Sequence, residues 1–208
     1  MTASVSTTPR AIVFDLGKVL LDFDWQLAVR QLMPHVRNPL TAIQGVLSGS
    51  SLLHDYESGA ISTSDFFEQV RSRVGFAGTF EDFAAGFGDI FTEIPEMVAL
   101  HAAVRRAGYK TYLFSNTNEL AIQVVRAKFP FFAEFDGWFL SYEQRVMKPA
   151  PRSYEIVETM AGLQGPDLFY LDDLPANVEG ALARGWRAVV HVSPELSRQA
   201  LAEAGVRW

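Results

Sequence analysis

Short apolar runs and amphipathic stretches alternate along most of this chain. The run Ala11–Phe14 is apolar without interruption, which is typical of a strand buried on both faces of a parallel sheet. The same reasoning predicts further strands at 109–114, 137–141, 168–171 and 188–192. Amphipathic stretches, several begun by proline or ended by glycine, predict helices at 95–107, 118–129, 151–161, 176–184 and 194–204. Strands alternating with helices predict an α/β fold, a parallel sheet with helices on both faces.

The segment after the first strand has a different pattern. Short helical periods fill residues 25–93, and no strand is predicted there. Ser62 and Thr79 are each followed three residues later by an aspartate, which resembles a capping box with Asp in place of Glu. We therefore predict a core formed by residues 10–23 and 94–208. Residues 24–93 form a small inserted helical cap over the carboxyl edge of the sheet, and residues 1–9 a flexible tail.

Composition narrows the partners that the chain is expected to have. Its 208 residues are 49% hydrophobic and 20% charged, as in an ordinary globular protein. The net charge of −6 argues against nucleic acid or an anionic membrane as partner. The absence of cysteine excludes a disulfide framework and a thiol nucleophile and fits a cytoplasmic protein. No secretory signal and no apolar stretch of ~20 residues is predicted, so we expect a small-molecule substrate.

Polar side chains follow four of the predicted strands. In chain order they are Asp15, Ser115 with Asn116, Lys148, and Asp172 with Asp173. Because ligands of open parallel sheets bind beyond the carboxyl ends of the strands, we expect these residues to share one site. The acidic groups would repel one another without a cation, and their hard oxygens suit Mg²⁺, which also accepts a phosphate oxygen. A lysine and a hydroxyl would hold other phosphate oxygens, and Asp15 would attack phosphorus to form an aspartyl-phosphate.

These segments also carry a family resemblance. Residues 15–19, 114–116, 148–149 and 172–177 resemble, in order, the four motifs of the haloacid dehalogenase (HAD) superfamily of hydrolases. Residues 56–62, 115–118 and 148–154 look closest to the bacterial phosphatases that act on α-glucose 1-phosphate. Residues 171–177 are also similar to the N-terminal phosphatase domain of soluble epoxide hydrolases. The resemblance implies a Rossmann-like core, a small helical cap and Mg²⁺-dependent hydrolysis of a small phosphorylated metabolite, with a sugar phosphate as the candidate.

The resemblance also implies roles for individual residues. Asp15 is the nucleophile, Mg²⁺ is held by Asp15, Asp173 and the backbone carbonyl of Gly17, and phosphate is held by Ser115, Asn116 and Lys148. Asp172 and Asn177 are candidates for the outer shell of the site. His54, Tyr56 and Glu57 are candidates for substrate specificity.

Gly17 departs from the commonest phosphatase pattern. Most members place a second Asp at this position, two residues after the nucleophile, where it protonates the leaving group and later activates water. Such a group contributes about 10²–10⁴-fold to the rate. Asp22, Asp24, His54, Glu57 or a bound water are the candidate replacements, and the sequence does not choose among them.

Other interpretations of the same residues stay open. Asp15 would pair with Lys18 in a purely structural role, and Asn177 would cap the helix that it precedes. A metal-free dehalogenase is a second functional hypothesis, although it would not need two acidic residues at 172–173. A binding or regulatory module that has lost its activity is a third, supported only by Gly17.

Overall fold

Five parallel strands form the main sheet of this protein, which is described by a computed structural model over residues 8–37 and 50–208. The predicted tail therefore lies outside the described residues except for its last two positions. The strands, in chain order, are β1 (Ala11–Phe14), β2 (Leu21–Phe23), β3 (Phe91–Glu93), β4 (Lys110–Ser115), β5 (Gly137–Leu140), β6 (Leu168–Asp172) and β7 (Arg187–Val190). The main sheet has the order β5-β4-β1-β6-β7, which confirms the predicted α/β fold.

Ten α-helices are present in the described part of the chain. They are α1 (Trp25–Leu32), α2 (Ser51–Glu57), α3 (Thr63–Val74), α4 (Phe80–Gly88), α5 (Pro95–Arg106), α6 (Glu119–Lys128), α7 (Ser141–Gln144), α8 (Pro151–Ala161), α9 (Pro175–Ala183) and α10 (Pro194–Glu203). None of the helices in these described ranges combines the length and hydrophobicity needed to cross a bilayer.

The central strand β1 is completely buried because both of its faces are covered. Ile12 and Phe14 join a core with side chains of α5, α6 and α10, whereas Ala11 and Val13 join one with side chains of α8 and α9. Because successive side chains of a strand point to opposite faces, a strand buried on both faces requires an apolar residue at every position. The sheet therefore lies between two layers of helices.

A third apolar cluster belongs to the helical segment, defined as α1 to α4. It contains aromatic side chains from three helices, including Tyr56, Phe66, Phe83 and Phe87. The two predicted capping boxes are confirmed, since Ser62 and Thr79 each exchange hydrogen bonds with the aspartate three residues later. The segment thus has its own core beside that of the sheet.

The expectation that residues 25–93 contain no strand was wrong. Phe91–Glu93 forms β3, which pairs antiparallel with β2 so that Leu21 lies opposite Glu93. Each of these strands has only three residues, too few for an alternating pattern to stand out. The two-stranded ribbon joins the ends of the helical segment to the main sheet.

Candidate active site

The polar residues predicted to share a site come together at the carboxyl ends of β1, β4 and β6. Asp15 directly follows β1, and its backbone N–H donates to the carbonyl of Leu171 in β6 (2.9 Å). Ser115 ends β4 and Asp172 ends β6. All three side chains are buried, so polar groups meet where a parallel sheet leaves a crevice.

Lys148 lies at the centre of this group. Its Nζ donates to Asp15 Oδ1 (2.7 Å) and Asp172 Oδ2 (2.7 Å), and it also contacts the carbonyl of Phe114 (2.8 Å) and the hydroxyl of Tyr170 (3.0 Å). Burial acts to lower the pKa of Lys148, but the two carboxylates outweigh it and the pKa is raised. Lys148 is therefore an ammonium that forms ion pairs with both Asp15 and Asp172. The alternative pairing of Asp15 with Lys18 is not found, because Lys18 pairs with Asp22.

Asn116 fixes the backbone that carries Lys148. Its Nδ2 donates to the carbonyl of Lys148 (3.0 Å), and its Oδ1 accepts from the backbone N–H of Lys148 (2.8 Å). The loop after β4 is thereby bonded to the loop that precedes α8. The side-chain amide of Asn116 therefore fixes the backbone of Lys148, which places the ammonium against the two carboxylates.

Asp15 combines burial with opposing charges. Burial raises its pKa to about 7, Lys148 acts to lower it, and Asp172 adds to the rise. Removing the cluster from water favours the neutral acid, so a further positive charge is needed to keep Asp15 fully ionised at neutral pH.

Asp172 is ionised and fully engaged by the protein. Besides Lys148, it accepts hydrogen bonds from the hydroxyl of Tyr170, the backbone N–H of Leu174 (2.8 Å) and Nδ2 of Asn177 (3.0 and 3.1 Å). Burial acts to raise the pKa of Asp172, but Lys148, the hydroxyl of Tyr170 and the N–H of Leu174 lower it. The expectation that Asn177 caps a helix that it precedes was wrong, because Asn177 lies inside α9 and its amide donates to Asp172.

The three carboxylates fit a hard divalent cation. Oxygen atoms of Asp15, Asp172 and Asp173 lie within 4.8 Å of one another. The half-buried Asp173 has a raised pKa, first because of burial and then because of Asp172. No side chain in the described part of the chain donates to Asp173. Since Asp172 is already engaged, the oxygens left for a cation belong to Asp15 and Asp173.

A cavity opens beside the turn that follows Asp15. It has about 520 Å³ of unoccupied space, its open mouth included. Its floor is polar, from Gly17 and the 115–118 loop, and its upper wall is largely aromatic. The lining is Leu16, Gly17, Phe23, Trp25, Glu57, Phe87, Ile90, Phe91, Ser115, Asn116, Thr117, Asn118 and Ala121. A phosphate above Ser115 would leave the rest of a substrate against the aromatic wall.

The three specificity candidates are placed differently. Tyr56 is buried, and its hydroxyl accepts from the backbone N–H of Leu120 (3.1 Å). His54 is exposed, with Nδ1 3.7 Å from Asp55. Glu57 lines the cavity, where burial raises its pKa to about 7.

Several side chains of the site were not found from the sequence. Tyr170 contacts both Lys148 and Asp172, and its only sequence signal is its place two residues before Asp172, on the same face of β6. Ser141 accepts from the N–H of Thr117 (2.8 Å) and has no distinctive sequence pattern. The aromatic wall comes from residues far apart in the chain, so only the folded structure reveals it.

Comparisons with known proteins agree on one family. The model of the haloacid dehalogenase-like hydrolases matches residues 9–185. A sesquiterpene phosphatase of Aspergillus oryzae is 25% identical over 86% of this chain and 88% of its own. A D-ribitol-5-phosphate phosphatase of Bacteroides thetaiotaomicron is 24% identical over 80% of this chain and 84% of its own.

Solved structures show the same fold. An HAD family enzyme from Bacteroides thetaiotaomicron, in complex with magnesium and inorganic phosphate, has a TM-score of 0.78 and 23% identity, covering 88% of this chain and 94% of its own. The L-2-haloacid dehalogenase of Xanthobacter autotrophicus has a TM-score of 0.64 and 20% identity, covering 96% and 85%.

Proposed function

Since this chain belongs to the haloacid dehalogenase-like hydrolases, we propose that it is a Mg²⁺-dependent phosphatase of a small phosphorylated metabolite. One observation carries the proposal: Asp15 lies 2.7 Å from the ammonium of Lys148, in a group of three carboxylates whose oxygens approach within 4.8 Å. Positive charge on one side and a cation site on the other suit a buried nucleophile and a dianionic substrate.

Asp15 and Asp173 would hold Mg²⁺, with the backbone carbonyl of Gly17 as a third ligand. When bound, the ion would neutralise the carboxylates and polarise the phosphoryl group. Magnesium and phosphate in the crystal structure of the Bacteroides enzyme support this assignment.

The protein's own residues would carry the chemistry. An oxygen of Asp15 attacks phosphorus as the bond to the leaving group breaks, and water then hydrolyses the aspartyl-phosphate. Ser115, at the end of β4, would contact the phosphoryl oxygens together with the 115–118 loop. Lys148 would orient Asp15 and offset the negative charge of the substrate, while Asp172, which accepts from the amide of Asn177, holds Lys148 on its other side.

The helical segment would act as a cap. In this proposal the core consists of residues 10–23 and 94–208, and residues 24–93 close over the cavity to exclude water during the reaction. The contact of Tyr56 with the backbone of Leu120 supports this placement, because it joins α2 to the start of α6. A cytoplasmic setting belongs to the same proposal.

Two substrate classes fit the cavity. A sugar phosphate agrees with the resemblance to the α-glucose-1-phosphate phosphatase branch and with the D-ribitol-5-phosphate phosphatase among the relatives. A phosphate of an apolar alcohol is the second candidate, favoured by the aromatic wall of Phe23, Trp25, Phe87 and Phe91. The sesquiterpene phosphatase among the relatives supports this alternative.

A phosphate-release screen tests the proposal. The purified chain is assayed with Mg²⁺ and with EDTA against α-glucose 1-phosphate, D-ribitol 5-phosphate, farnesyl phosphate and phenyl phosphate. We expect release that requires Mg²⁺ on at least one of them, and the preferred alcohol identifies the substrate class. Full turnover in EDTA, or release of chloride from 2-chloropropionate without phosphatase activity, would support the metal-free dehalogenase instead.

A further inference from the structure

The cavity has phosphate-facing groups but no acid at Gly17 to protonate a leaving group. The described structure removes three of the candidate replacements. Asp22 is exposed and bonded to Lys18, which lowers its pKa. Asp24 accepts from the N–H of Gln26 as the N-cap of α1, and His54 is exposed. None of these three lines the cavity.

Glu57 is the one titratable residue in the described lining of that cavity. It shares the lining with Gly17 and Ser115, so its carboxyl faces the same space as the phosphate-binding floor. Its side chain has no hydrogen bond and no ion pair with any described residue. Glu57 is half-buried. A carboxyl group that is partly withdrawn from water usually has a partner, and an unpaired one at the wall of a substrate cavity is available to a substrate.

The backbone of Glu57 is connected by hydrogen bonds to the 115–118 loop. The hydroxyl of Ser141 lies 2.6 Å from the carbonyl of Glu57, and the same oxygen accepts from the backbone N–H of Thr117 (2.8 Å). One side chain thus connects Glu57 to the loop that follows Ser115. Because Thr117 is two residues from Ser115, the position of Glu57 is tied to the phosphate site rather than to the outer part of the helical segment.

Close packing at Gly59 holds the same turn in place. Gly59 has a φ of +69°, and a Cβ atom there would lie 2.2 Å from the carbonyl oxygen of Tyr142 in α7. Only a residue without a side chain permits this approach. The position of the Glu57 backbone is therefore fixed by two contacts: its hydrogen bond with Ser141 and the close packing of Gly59 against Tyr142.

We propose that Glu57 is the catalytic acid and base that takes over the role absent at Gly17, an inference that rests on the proposed phosphatase function. As the bond from phosphorus to the leaving oxygen breaks and the bond to Asp15 forms, Glu57 gives its proton to that oxygen and the alcohol departs. Glu57 then takes a proton from the water that attacks phosphorus. The bond from phosphorus to Asp15 breaks, phosphate leaves and Glu57 is protonated again.

The electrostatics agree with this role. Burial alone raises the pKa of Glu57 to about 7, which leaves both protonation states populated near neutral pH. The elements packed against α2 include α3 and α7, and the bond from Leu120 to Tyr56 adds α6. On α3, Asp65 bonds to Ser62, Glu68 pairs with Arg71 and Arg73 bonds to Gln69. The other charged or titratable groups are Glu119 in α6, Tyr142 and Glu143 in α7, and Arg145. Glu119, Tyr142 and Arg145 line a separate cleft with Gly59, and Glu143 bonds to the hydroxyl of Tyr142.

Two aryl phosphates of similar size provide the test. Phenyl phosphate has a leaving group that requires a proton, whereas 2,4-dinitrophenyl phosphate has one that does not. We expect Glu57→Gln to lower kcat/KM for phenyl phosphate by about 10²–10⁴-fold and to change that for dinitrophenyl phosphate far less. Asp55→Asn, which removes an exposed carboxylate two residues away, is the matched control and should change neither rate.

The pH profile gives a second readout. In the wild type, the ratio of the phenyl to the dinitrophenyl rate should fall as pH rises through about 7, because the proton on Glu57 is lost. In Glu57→Gln this ratio should not depend on pH, and Glu57→Asp should keep part of the dependence.

Two failures are distinguishable. A wild type that hydrolyses neither ester with Mg²⁺ contradicts the proposed function and this inference together. A wild type that hydrolyses both, with a well-folded Glu57→Gln variant that loses both rates equally or loses neither, overturns the role of Glu57 alone.

Discussion

At the scale of single residues, a buried lysine between two carboxylates organises the site. Asp15, Lys148 and Asp172 could be predicted from the sequence because each follows a predicted strand, and parallel strands end at one edge. Tyr170 and Ser141 could not, because a hydroxyl inside or after a strand is ordinary until the fold shows what it bonds to. The hydroxyl of Tyr170 bonds to both members of the buried ion pair between Lys148 and Asp172, so it contributes more to the site than its sequence position indicates.

Replacing Tyr170 by phenylalanine tests this positioning role. The variant keeps the ring but removes the hydroxyl that contacts Lys148 and Asp172, so Lys148 should orient Asp15 less well. We expect kcat to fall by about 10–100-fold, as for other groups that orient ligands from the outer shell. Steady-state kinetics measure the effect, with Tyr112→Phe in β4, on the far side of β1 from β6, as the control. Unchanged kcat in Tyr170→Phe would show that the hydroxyl does not orient the site.

His101 predicts how stability depends on pH. It is fully buried in α5, 3.1 Å from the hydroxyl of Thr111, and burial followed by Arg105 lowers its pKa to about 4. Between pH 6.5 and 4 the unfolded chain therefore binds a proton that the folded chain does not. The free energy of unfolding should fall as pH falls through this window, by at most about 3 kcal/mol from this group.

Urea unfolding at pH 7.5 and 4.5 measures this dependence. Other groups also titrate in this range, so the relevant quantity is the difference between the wild type and His101→Gln, whose side chain stays neutral. The wild type should lose more stability than the variant on acidification. An equal loss in both proteins would show that His101 is protonated in the folded state.

At the scale of secondary-structure elements, local signals were predictable and distant pairings were not. The capping boxes at Ser62 and Thr79 are complete within four residues, and α5, α6 and α8 to α10 begin and end within one residue of their predicted limits. The short helix α7 was not predicted. The ribbon of β2 and β3 pairs Leu21 with Glu93, and no local pattern records such a pairing. The hydrogen bonds through Ser141 that connect α2 to the 115–118 loop could not be predicted for the same reason.

The turn after α2 can be tested through its glycine. Gly59→Ala introduces a Cβ atom 2.2 Å from the carbonyl oxygen of Tyr142, whereas Gly162→Ala, at a similar φ of +63°, meets nothing within 4 Å. The left-handed conformation costs either alanine roughly 1–2 kcal/mol. We therefore expect Gly59→Ala to lose more stability than Gly162→Ala and to lose activity as Glu57 is displaced.

Thermal unfolding and kcat/KM on phenyl phosphate measure the two effects. Gly162→Ala should keep its activity while losing some stability. If Gly59→Ala behaves like Gly162→Ala in both measurements, the turn has room to move and does not hold Glu57 in place.

At the scale of the whole molecule, the alternation of strands and helices was enough to predict the parallel sheet and the edge that carries the site. The aromatic wall of the cavity was not predictable, because it joins β2, α1, α4 and β3 across the chain. A net charge of −6 opposes polyanionic macromolecules, and a cavity of about 520 Å³ suits a small substrate. We expect kcat/KM to be far higher for phenyl phosphate than for a phosphopeptide or a 5′-phosphorylated oligonucleotide, measured by phosphate release. Comparable values for all three would contradict a closed cavity for small substrates.

A phosphoryl group trapped on Asp15 would be direct evidence for the proposed aspartyl-phosphate. The wild type is mixed with Mg²⁺ and 2,4-dinitrophenyl phosphate, quenched within milliseconds and digested, and the peptide that contains Asp15 is measured by mass spectrometry. We expect this peptide to gain the mass of one phosphoryl group, to lose it in hydroxylamine, and to gain nothing in EDTA or in Asp15→Asn. Rapid turnover of phosphate esters by a folded Asp15→Asn variant, or a phosphoryl group trapped on another residue, would contradict the account.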